Sequence, residues 1–179
     1  MNTAEFPEEL LDKARGIALL ALDVDGVLTD GKLHFGNAGE ELKGFSILDG
    51  LGIKLLQNQG VEVAIITGRQ SQLVTRRATD LGIKYIMQGR EDKLTALDEL
   101  LQQLELTRDQ AAYVGDDLPD LSAICHARLG IAVANAYPPL KQQADWVTGN
   151  AGGCGAVREV CDLLLIANGK YSQAIDAFR

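Results

Sequence analysis

Residues 19–31 read LLALDVDGVLTDG, and the apolar half of this stretch stops abruptly at Asp23-Val24-Asp25-Gly26. The apolar run Ile17–Leu22 predicts a strand that is buried on both faces. One residue separates the two aspartates, so the alternation of a strand can aim both carboxylates the same way. Two unpaired carboxylates beside an apolar wall would repel each other, and a bound Mg²⁺ would resolve that repulsion. The alternative is an acidic strand-to-loop turn on a solvated edge.

The composition is that of a globular protein, with 179 residues, 46% hydrophobic and 23% charged. It predicts one domain over residues 1–179, because there is no repeat, low-complexity tract or linker. The net charge of −8 argues against a nucleic-acid partner. We expect a cytoplasmic protein with no membrane partner, because no apolar run has membrane length and no signal-peptide pattern precedes the first strand. The three cysteines are odd in number and lack metal-ligand spacing, which indicates reduced thiols.

Apolar strand-like runs alternate with helical patterns along the chain. The predicted strands are 17–22, 61–66, 83–87, 111–115, 129–133 and 146–148, and the main predicted helices are 7–15, 51–56, 71–81, 91–104 and 156–167. Two short runs around a Gly/Asn turn predict a β-hairpin at about residues 32–45, and a tail follows at about 169–179. The alternation predicts an α/β fold, a Rossmann-like parallel sheet with helices on both faces.

Polar residues follow several of these strands, at the edge where ligands bind in parallel sheets. They are Asp23 and Asp25, Thr67, and Asp116 and Asp117, while Lys93 opens a helix that reaches the same edge. A cation in a first helical turn opposes the helix dipole, so stability alone does not explain Lys93. Carboxylates, a hydroxyl and a lysine around Mg²⁺ suit phosphoryl transfer. An aspartate can be the nucleophile, and a second carboxylate can move the proton.

The ordered motifs Asp23-Val24-Asp25-Gly26-Val27, Thr67-Gly68-Arg69, Lys93 and Gly115-Asp116-Asp117-x-x-Asp120 resemble those of the haloacid-dehalogenase phosphatase superfamily. The resemblance implies that Asp23 is the nucleophile, that Asp25 is the general acid/base, and that Thr67 and Lys93 hold the phosphate. It implies Mg²⁺ bound by the side chains of Asp23 and Asp116 and by the carbonyl of Asp25. Asp117 and Asp120 would orient Lys93 and metal-bound waters. For Asp120, a plain helix-start carboxylate is the open alternative.

The spacing between these motifs leaves no room for a cap domain, since Thr67 lies 42 residues after Asp25 and Lys93 lies 26 after Thr67. The chain is similar nearly end to end to the capless 3-deoxy-D-manno-octulosonate 8-phosphate phosphatases of lipopolysaccharide biosynthesis. That likeness implies a homotetramer acting on an anionic sugar-acid phosphate. The residues it implies at the substrate, besides Asp25 and Lys93, are Ser46, Ile47, Leu48, Asp49, Gly50, Lys54, Arg69 and Arg77. For Arg77 the alternative is a solvated helix face beside Arg76.

Two other functions compete with this interpretation. A phosphatase for a related nine-carbon, sialic-type sugar phosphate would carry nearly the same residues. A phospho-receiver signalling domain would place its phosphorylated aspartate on a middle strand, which does not fit an Asp-x-Asp on the first. Because a capless site is open to water, we expect the hairpin or the tail of a neighbouring copy to cover it.

Overall fold

The computed structural model describes residues 6–176 and 178–179 of the chain. The strands are β1 Leu19–Leu22, β2 His34–Phe35, β3 Glu41–Leu42, β4 Glu62–Thr67, β5 Tyr85–Gln88, β6 Ala111–Gly115, β7 Leu129–Ala132 and β8 Trp146–Val147. The helices are α1 Glu8–Ala14, α2 Ile47–Asn58, α3 Gln72–Leu81, α4 Lys93–Gln103, α5 Leu121–His126, α6 Pro138–Lys141, α7 Ala156–Ala167 and α8 Tyr171–Asp176. None of the helices in these ranges combines the length and apolar character needed to cross a membrane.

Six strands form a parallel sheet in the order β5-β4-β1-β6-β7-β8. Every residue of β1 is buried, and Leu22 is paired with Ile65 of β4 on one side and Val114 of β6 on the other. Helices α1, α2 and α7 pack together, and α4 packs on α5. A central strand covered on both faces must be apolar throughout, which explains the unbroken run before Asp23. The predicted capless α/β fold is confirmed.

Helix α2 begins earlier than the sequence predicted. Ser46 is its N-cap, and the Ser46 hydroxyl accepts a hydrogen bond from the backbone N–H of Asp49 at 3.4 Å. Residues 47–50 therefore form the first turn of this helix, and the predicted start at residue 51 was wrong. The Asp-Gly pair at positions 49 and 50 suggested a turn, but the cap outweighs the low helix propensity of glycine.

Part of the C-terminal tail is helical. Helix α8 packs against α7 and buries Ala174, while Phe178 is exposed beyond it. Position 177 of the predicted tail lies outside the described residues. The tail therefore begins with a docked helix, and only its last residues extend past that helix.

A glycine-rich turn before α7 supports the loop that follows Asp23 and Asp25, the two aspartates after β1. A Cβ on Gly152 would lie 1.7 Å from the carbonyl oxygen of Gly26, and the N–H of Gly153 donates to the carbonyl of Val27 at 2.9 Å. Only glycine allows this approach of two backbones. The Gly-Gly pair at 152–153 thus fixes the loop behind Asp25 from a distant part of the sequence.

Candidate active site

A cavity of about 320 Å³ lies at the carboxyl edge of the sheet. Its lining includes Asp23, Asp25, Thr67, Gly68, Arg69, Glu91, Lys93, Asp116, Asp117 and Asp120. These residues come from the ends of β1, β4 and β6 and from the start of α4. The predicted meeting of distant polar clusters at one edge of the sheet is therefore observed.

Asp23 and Lys93 form a buried ion pair in this cavity. Nζ of Lys93 lies 2.9 Å from Oδ1 of Asp23 and 2.5 Å from Oδ1 of Asp120, and all three side chains are almost fully buried. Burial alone would lower the pKa of Lys93, but the two carboxylates raise it above its ordinary value. The lysine is therefore charged, and it points at Asp23.

Asp120 is fully engaged by protein groups. Its Oδ1 accepts from Lys93 and from the hydroxyl of Tyr113 at 3.0 Å, while its Oδ2 accepts from the N–H groups of Asp116 at 3.0 Å and Asp117 at 3.3 Å. Asp120 therefore both orients Lys93 and closes the turn after β6. Tyr113 was missed, because a tyrosine inside an apolar strand gives no signal beyond that of a core residue.

Three carboxylates, those of Asp23, Asp116 and Asp120, bring oxygens within 4.8 Å of one another. Burial, and next the charge of Asp120, raises the pKa of Asp23 to about 6, although Lys93 opposes the shift. Burial, followed by the charges of Asp23 and Asp120, raises the pKa of Asp116 to about 7. The cluster thus carries more negative charge than Lys93 alone balances.

The space beside Asp116 suits a small hard cation. Oδ1 of Asp23 is buried and has no well-oriented hydrogen bond, even though the charge of Lys93 is 2.9 Å away. Gly26, with φ +101°, leaves room there, since a Cβ at this position would lie 2.0 Å from Oδ2 of Asp116. With Asp120 engaged, Asp23 and Asp116 are the carboxylates with acceptor capacity to spare. Oxygen ligands of this kind fit Mg²⁺.

The hairpin β2–β3 reaches the rim of the cavity. Nζ of Lys43, just after β3, contacts Oδ1 of Asp25, and Oε1 of Glu41 accepts from Nη2 of Arg69 at 3.2 Å. Nε of Arg69 lies 3.6 Å from Oδ2 of Asp25. Lys43 and Glu41 were not predicted at the site. The available signal was that the hairpin follows the Asp-x-Asp turn and that residues two apart on a strand point to the same side, so both side chains could face the cavity.

Thr67 and Asp117 complete the edge. Thr67 is the buried last residue of β4, and its carbonyl accepts from the N–H of Arg90 at 3.0 Å. Asp117 is exposed, and its carboxylate accepts from the N–H of Leu118 at 2.8 Å. Both side chains border the cavity, and neither touches Lys93 in the way that Asp120 does.

Two of the residues predicted at the substrate lie elsewhere within one chain. Asp49 is buried, and its carboxylate accepts from the N–H groups of Arg158 at 2.8 Å and Gly155 at 3.4 Å, so it caps α7. Lys54 borders a different groove, which also contains Glu62, the first residue of β4. Thr67, the last residue of β4, borders the cavity, so the groove and the cavity lie at opposite ends of this strand. Within a single chain the helix that carries these two side chains turns them away from the strand ends, and their contact with substrate stays a prediction.

The other predicted substrate residues surround the start of α2. Nη2 of Arg77 donates to the carbonyl of Ser46 at 3.0 Å, and Cζ of the same guanidinium lies over the ring of Phe45, so the side chain is half-buried and held by protein groups. A Cβ on Gly50 would lie 2.3 Å from Nη2 of Arg77. Ile47 and Leu48 are 82% and 55% exposed. The cavity of one chain is bordered by none of the five predicted residues, which are Ser46, Ile47, Leu48, Gly50 and Arg77. Their contact with substrate stays a prediction that requires a second copy.

The sheet, the Asp-x-Asp turn and the buried lysine define a hydrolase of the haloacid dehalogenase-like class, and residues 83–160 match the haloacid dehalogenase-like hydrolase family. Relatives resemble the chain over most of its length. It is 51% identical over 166 residues to 3-deoxy-D-manno-octulosonate 8-phosphate phosphatase KdsC of Escherichia coli strain K12, covering 93% of this chain and 88% of that protein. The chain belongs to the 3-deoxy-D-manno-octulosonate 8-phosphate phosphatase family.

Solved structures agree with this membership. The phosphatase of that name from Moraxella catarrhalis, crystallised with a magnesium ion, a phosphate ion and a KDO molecule, superposes with a TM-score of 0.95 at 45% identity, covering 97% of this chain and 100% of that one. A cobalt-bound form of the Haemophilus influenzae enzyme gives a TM-score of 0.87 at 42% identity, covering 91% of this chain and 98% of that one.

Proposed function

We propose that this chain is a Mg²⁺-dependent phosphatase that hydrolyses 3-deoxy-D-manno-octulosonate 8-phosphate to the free sugar acid and phosphate, in lipopolysaccharide biosynthesis. The observation that carries the proposal is the placement of Asp23 between Lys93 and Asp116 at the strand-end cavity. Family membership supports the substrate. The free state of Cys125, Cys154 and Cys161 supports a reducing, cytoplasmic location.

The first step is attack by Asp23 on phosphorus. A carboxylate oxygen of Asp23 forms the new bond, and the bond from phosphorus to the sugar oxygen breaks. Lys93 and the hydroxyl of Thr67 hold the phosphoryl oxygens as charge moves onto them. Asp25, two residues further on, gives its proton to the departing alkoxide.

The second step regenerates the enzyme. Asp25 takes a proton from water as the water oxygen attacks phosphorus in the aspartyl phosphate, and the bond to Asp23 breaks to release inorganic phosphate. Asp120 keeps Lys93 directed at Asp23 through both steps, since its two oxygens are held by Lys93, Tyr113 and the turn after β6.

Mg²⁺ would be held by the side chains of Asp23 and Asp116 and the backbone carbonyl of Asp25. When bound, it neutralises the charge of the phosphate and of the carboxylate cluster. Asp117 stands beside this position and would orient the solvent around it. The raised pKa values of Asp23 and Asp116 support a cation here, because without one the cluster resists ionisation.

A phosphate-release assay over a panel of sugar phosphates with Mg²⁺ tests the function. We expect the highest kcat/KM with 3-deoxy-D-manno-octulosonate 8-phosphate. A higher kcat/KM with a nine-carbon, sialic-type acid phosphate would assign the chain to that reaction instead. Absence of turnover with every phosphate monoester would contradict the phosphatase proposal.

Arg69 is the cation best placed to select an acidic sugar. It borders the cavity and is half exposed, so one face of its guanidinium is available to a carboxylate. We expect Arg69→Ala to raise KM for the sugar-acid phosphate about 10- to 150-fold, since a hydrogen bond to a charged group contributes roughly 1.5–3 kcal/mol. Steady-state kinetics should show little change in KM for 4-nitrophenyl phosphate.

Arg76→Ala is the matched control, because Arg76 is exposed on α3 away from the cavity. Its KM values should equal those of the wild type. Equal losses on both substrates in Arg69→Ala would mean that Arg69 serves the phosphate or the hairpin instead.

We also propose that the active form is a homo-oligomer, most simply a tetramer. The hairpin and the start of α2 expose apolar side chains that one chain does not cover: Leu33 at 43%, Phe35 at 64%, Leu42 at 63%, Ile47 at 82% and Leu48 at 55%. Five large exposed apolar side chains within sixteen consecutive residues are typical of a segment that packs against another chain. Packing of these surfaces would also bring Ile47, Leu48 and Arg77 of one copy towards the cavity of another.

Light scattering during gel filtration should therefore give a mass near four chains. Phe35→Asp should lower that mass and raise KM for the sugar-acid phosphate, because the wall of the site is lost. Truncation after Asp176, which keeps α8, tests the end of the tail separately. A monomer with full activity at the assay concentration would rule out a shared site.

A further inference from the structure

Lys43 is a buried lysine that belongs to none of the four motifs around the cavity. Its side chain is 1% exposed, whereas its neighbours Leu42 and Gly44 on the hairpin are exposed. Burying an ammonium group is costly unless it is paired. The pairing comes from Oδ1 of Asp25, which Nζ contacts directly, and from Oε1 of Glu41 at 3.4 Å. The hairpin thus inserts a charged group into the site.

The contact with Lys43 gives the two carboxylate oxygens of Asp25 different surroundings. Oδ1 is held by Lys43, while Oδ2 is buried and has no hydrogen-bond partner among the residues that the structure describes. Nε of Arg69 lies 3.6 Å from this Oδ2, which is beyond hydrogen-bond distance. A carboxylate fixed through one oxygen has a defined plane, and its second oxygen is kept free.

We propose that Lys43 is a positioning residue, which fixes Asp25 through Oδ1 so that Oδ2 is presented to the leaving group and later to water. The proposal rests on the phosphatase reaction above. Proton transfer needs the donor oxygen within hydrogen-bond reach of its target, so a free rotation of Asp25 would reduce its efficiency. The hairpin is then part of the proton-transfer apparatus and not only a cover.

The dependence of the rate on the leaving group separates this role from simple stabilisation of the hairpin. An alkoxide from a sugar needs a proton as it departs, whereas 4-nitrophenolate is a stable anion and needs almost none. A loose Asp25 therefore slows the first step, formation of the aspartyl phosphate, selectively for the sugar phosphate, whereas the second step is the same for both substrates. A displaced or unfolded hairpin would slow both substrates.

The experiment compares Lys43→Met, Lys43→Arg and the control Lys32→Met. Lys32 lies on the same hairpin segment, but it is exposed and pairs with Asp30 at 3.0 Å. The measured quantity is kcat/KM, which reports only the steps up to formation of the aspartyl phosphate. For Lys43→Met we expect kcat/KM on the sugar-acid phosphate to fall about 30-fold and kcat/KM on 4-nitrophenyl phosphate to fall about threefold at most. Lys43→Arg should recover part of the loss, and Lys32→Met should match the wild type on both substrates.

A double-mutant cycle with Asp25→Asn adds a second measurement. If Lys43 acts through Asp25, then Lys43→Met should have no further effect on sugar-acid phosphate turnover once Asp25 is asparagine. Equal losses on both substrates, no loss at all, or additive losses in the cycle would each overturn the proposal. Should the wild type not accept a sugar-acid phosphate, the proposed function fails, while the same comparison with an alkyl and an aryl phosphate still decides the role of Lys43.

Discussion

Asp23→Asn should lower kcat for every phosphate monoester by at least about 10⁴-fold. The amide keeps the shape of the side chain but removes the attacking charge, so no aspartyl phosphate can form. The surroundings of Asp23 make this a test of chemistry and not of folding. Lys93 keeps its 2.5 Å contact with Asp120, and the loop after β1 keeps its backbone contacts with the glycine-rich turn.

Steady-state kinetics measures the loss, and thermal unfolding measures the fold. We expect the midpoint of unfolding to stay close to that of the wild type. Asp25→Asn is the informative comparison, because it should retain far more activity on 4-nitrophenyl phosphate than Asp23→Asn does. Mass spectrometry must first exclude deamidation of the new asparagine. A kcat above about a hundredth of the wild-type value would then contradict covalent catalysis by Asp23.

Removal of divalent cations should stop turnover, and Asp116→Ala should prevent Mg²⁺ from restoring it. With Asp120 engaged by Lys93, Tyr113 and two backbone N–H groups, loss of Asp116 leaves Asp23 as the one side-chain ligand with capacity to spare in this cluster. We expect Mg²⁺ affinity, measured by calorimetry, to fall at least about 100-fold, and kcat at ordinary Mg²⁺ concentrations to fall with it.

The metal-free stability of Asp116→Ala distinguishes loss of the ion from loss of the fold. Burial raises the pKa of Asp116 from its ordinary value to about 7, so the free energy of unfolding of the metal-free protein falls as the pH rises between those two values and stays lowered above pH 7. At pH 8 the metal-free variant should therefore unfold at a temperature no lower than that of the metal-free wild type. Below the ordinary pKa of an aspartate both states bind the proton, and this difference should vanish.

Asp109→Ala is the matched control, since Asp109 is an exposed aspartate at the amino end of β6, on the opposite edge of the sheet. It should bind Mg²⁺ and turn over substrate as the wild type does. Full activity of the wild type after exhaustive chelation would remove the ion from the mechanism.

Local patterns predicted the architecture well, because the sheet is built from runs that are apolar on both faces. The run before Asp23, the helix opened by Lys93 and the strand before Asp116 lie where their hydrophobic patterns indicated. Helix α2 was the exception. Its first turn contains exposed Ile47 and Leu48 and an Asp-Gly pair, so the apolar spacing of a buried helix face begins only later.

The sequence by itself determined the parallel α/β fold, the absence of a cap between the motifs, and the meeting of Asp23, Thr67, Lys93 and Asp116 at one edge. It could do so because strand ends are local features and all parallel strands end on the same side. Only the tertiary structure decided which further side chains reach that edge. Lys43 and Tyr113 turn into the site, and Asp49 and Lys54 turn away from it. The direction of a side chain across a hairpin, a strand or a helix depends on what packs against it, and those neighbours are distant in the sequence.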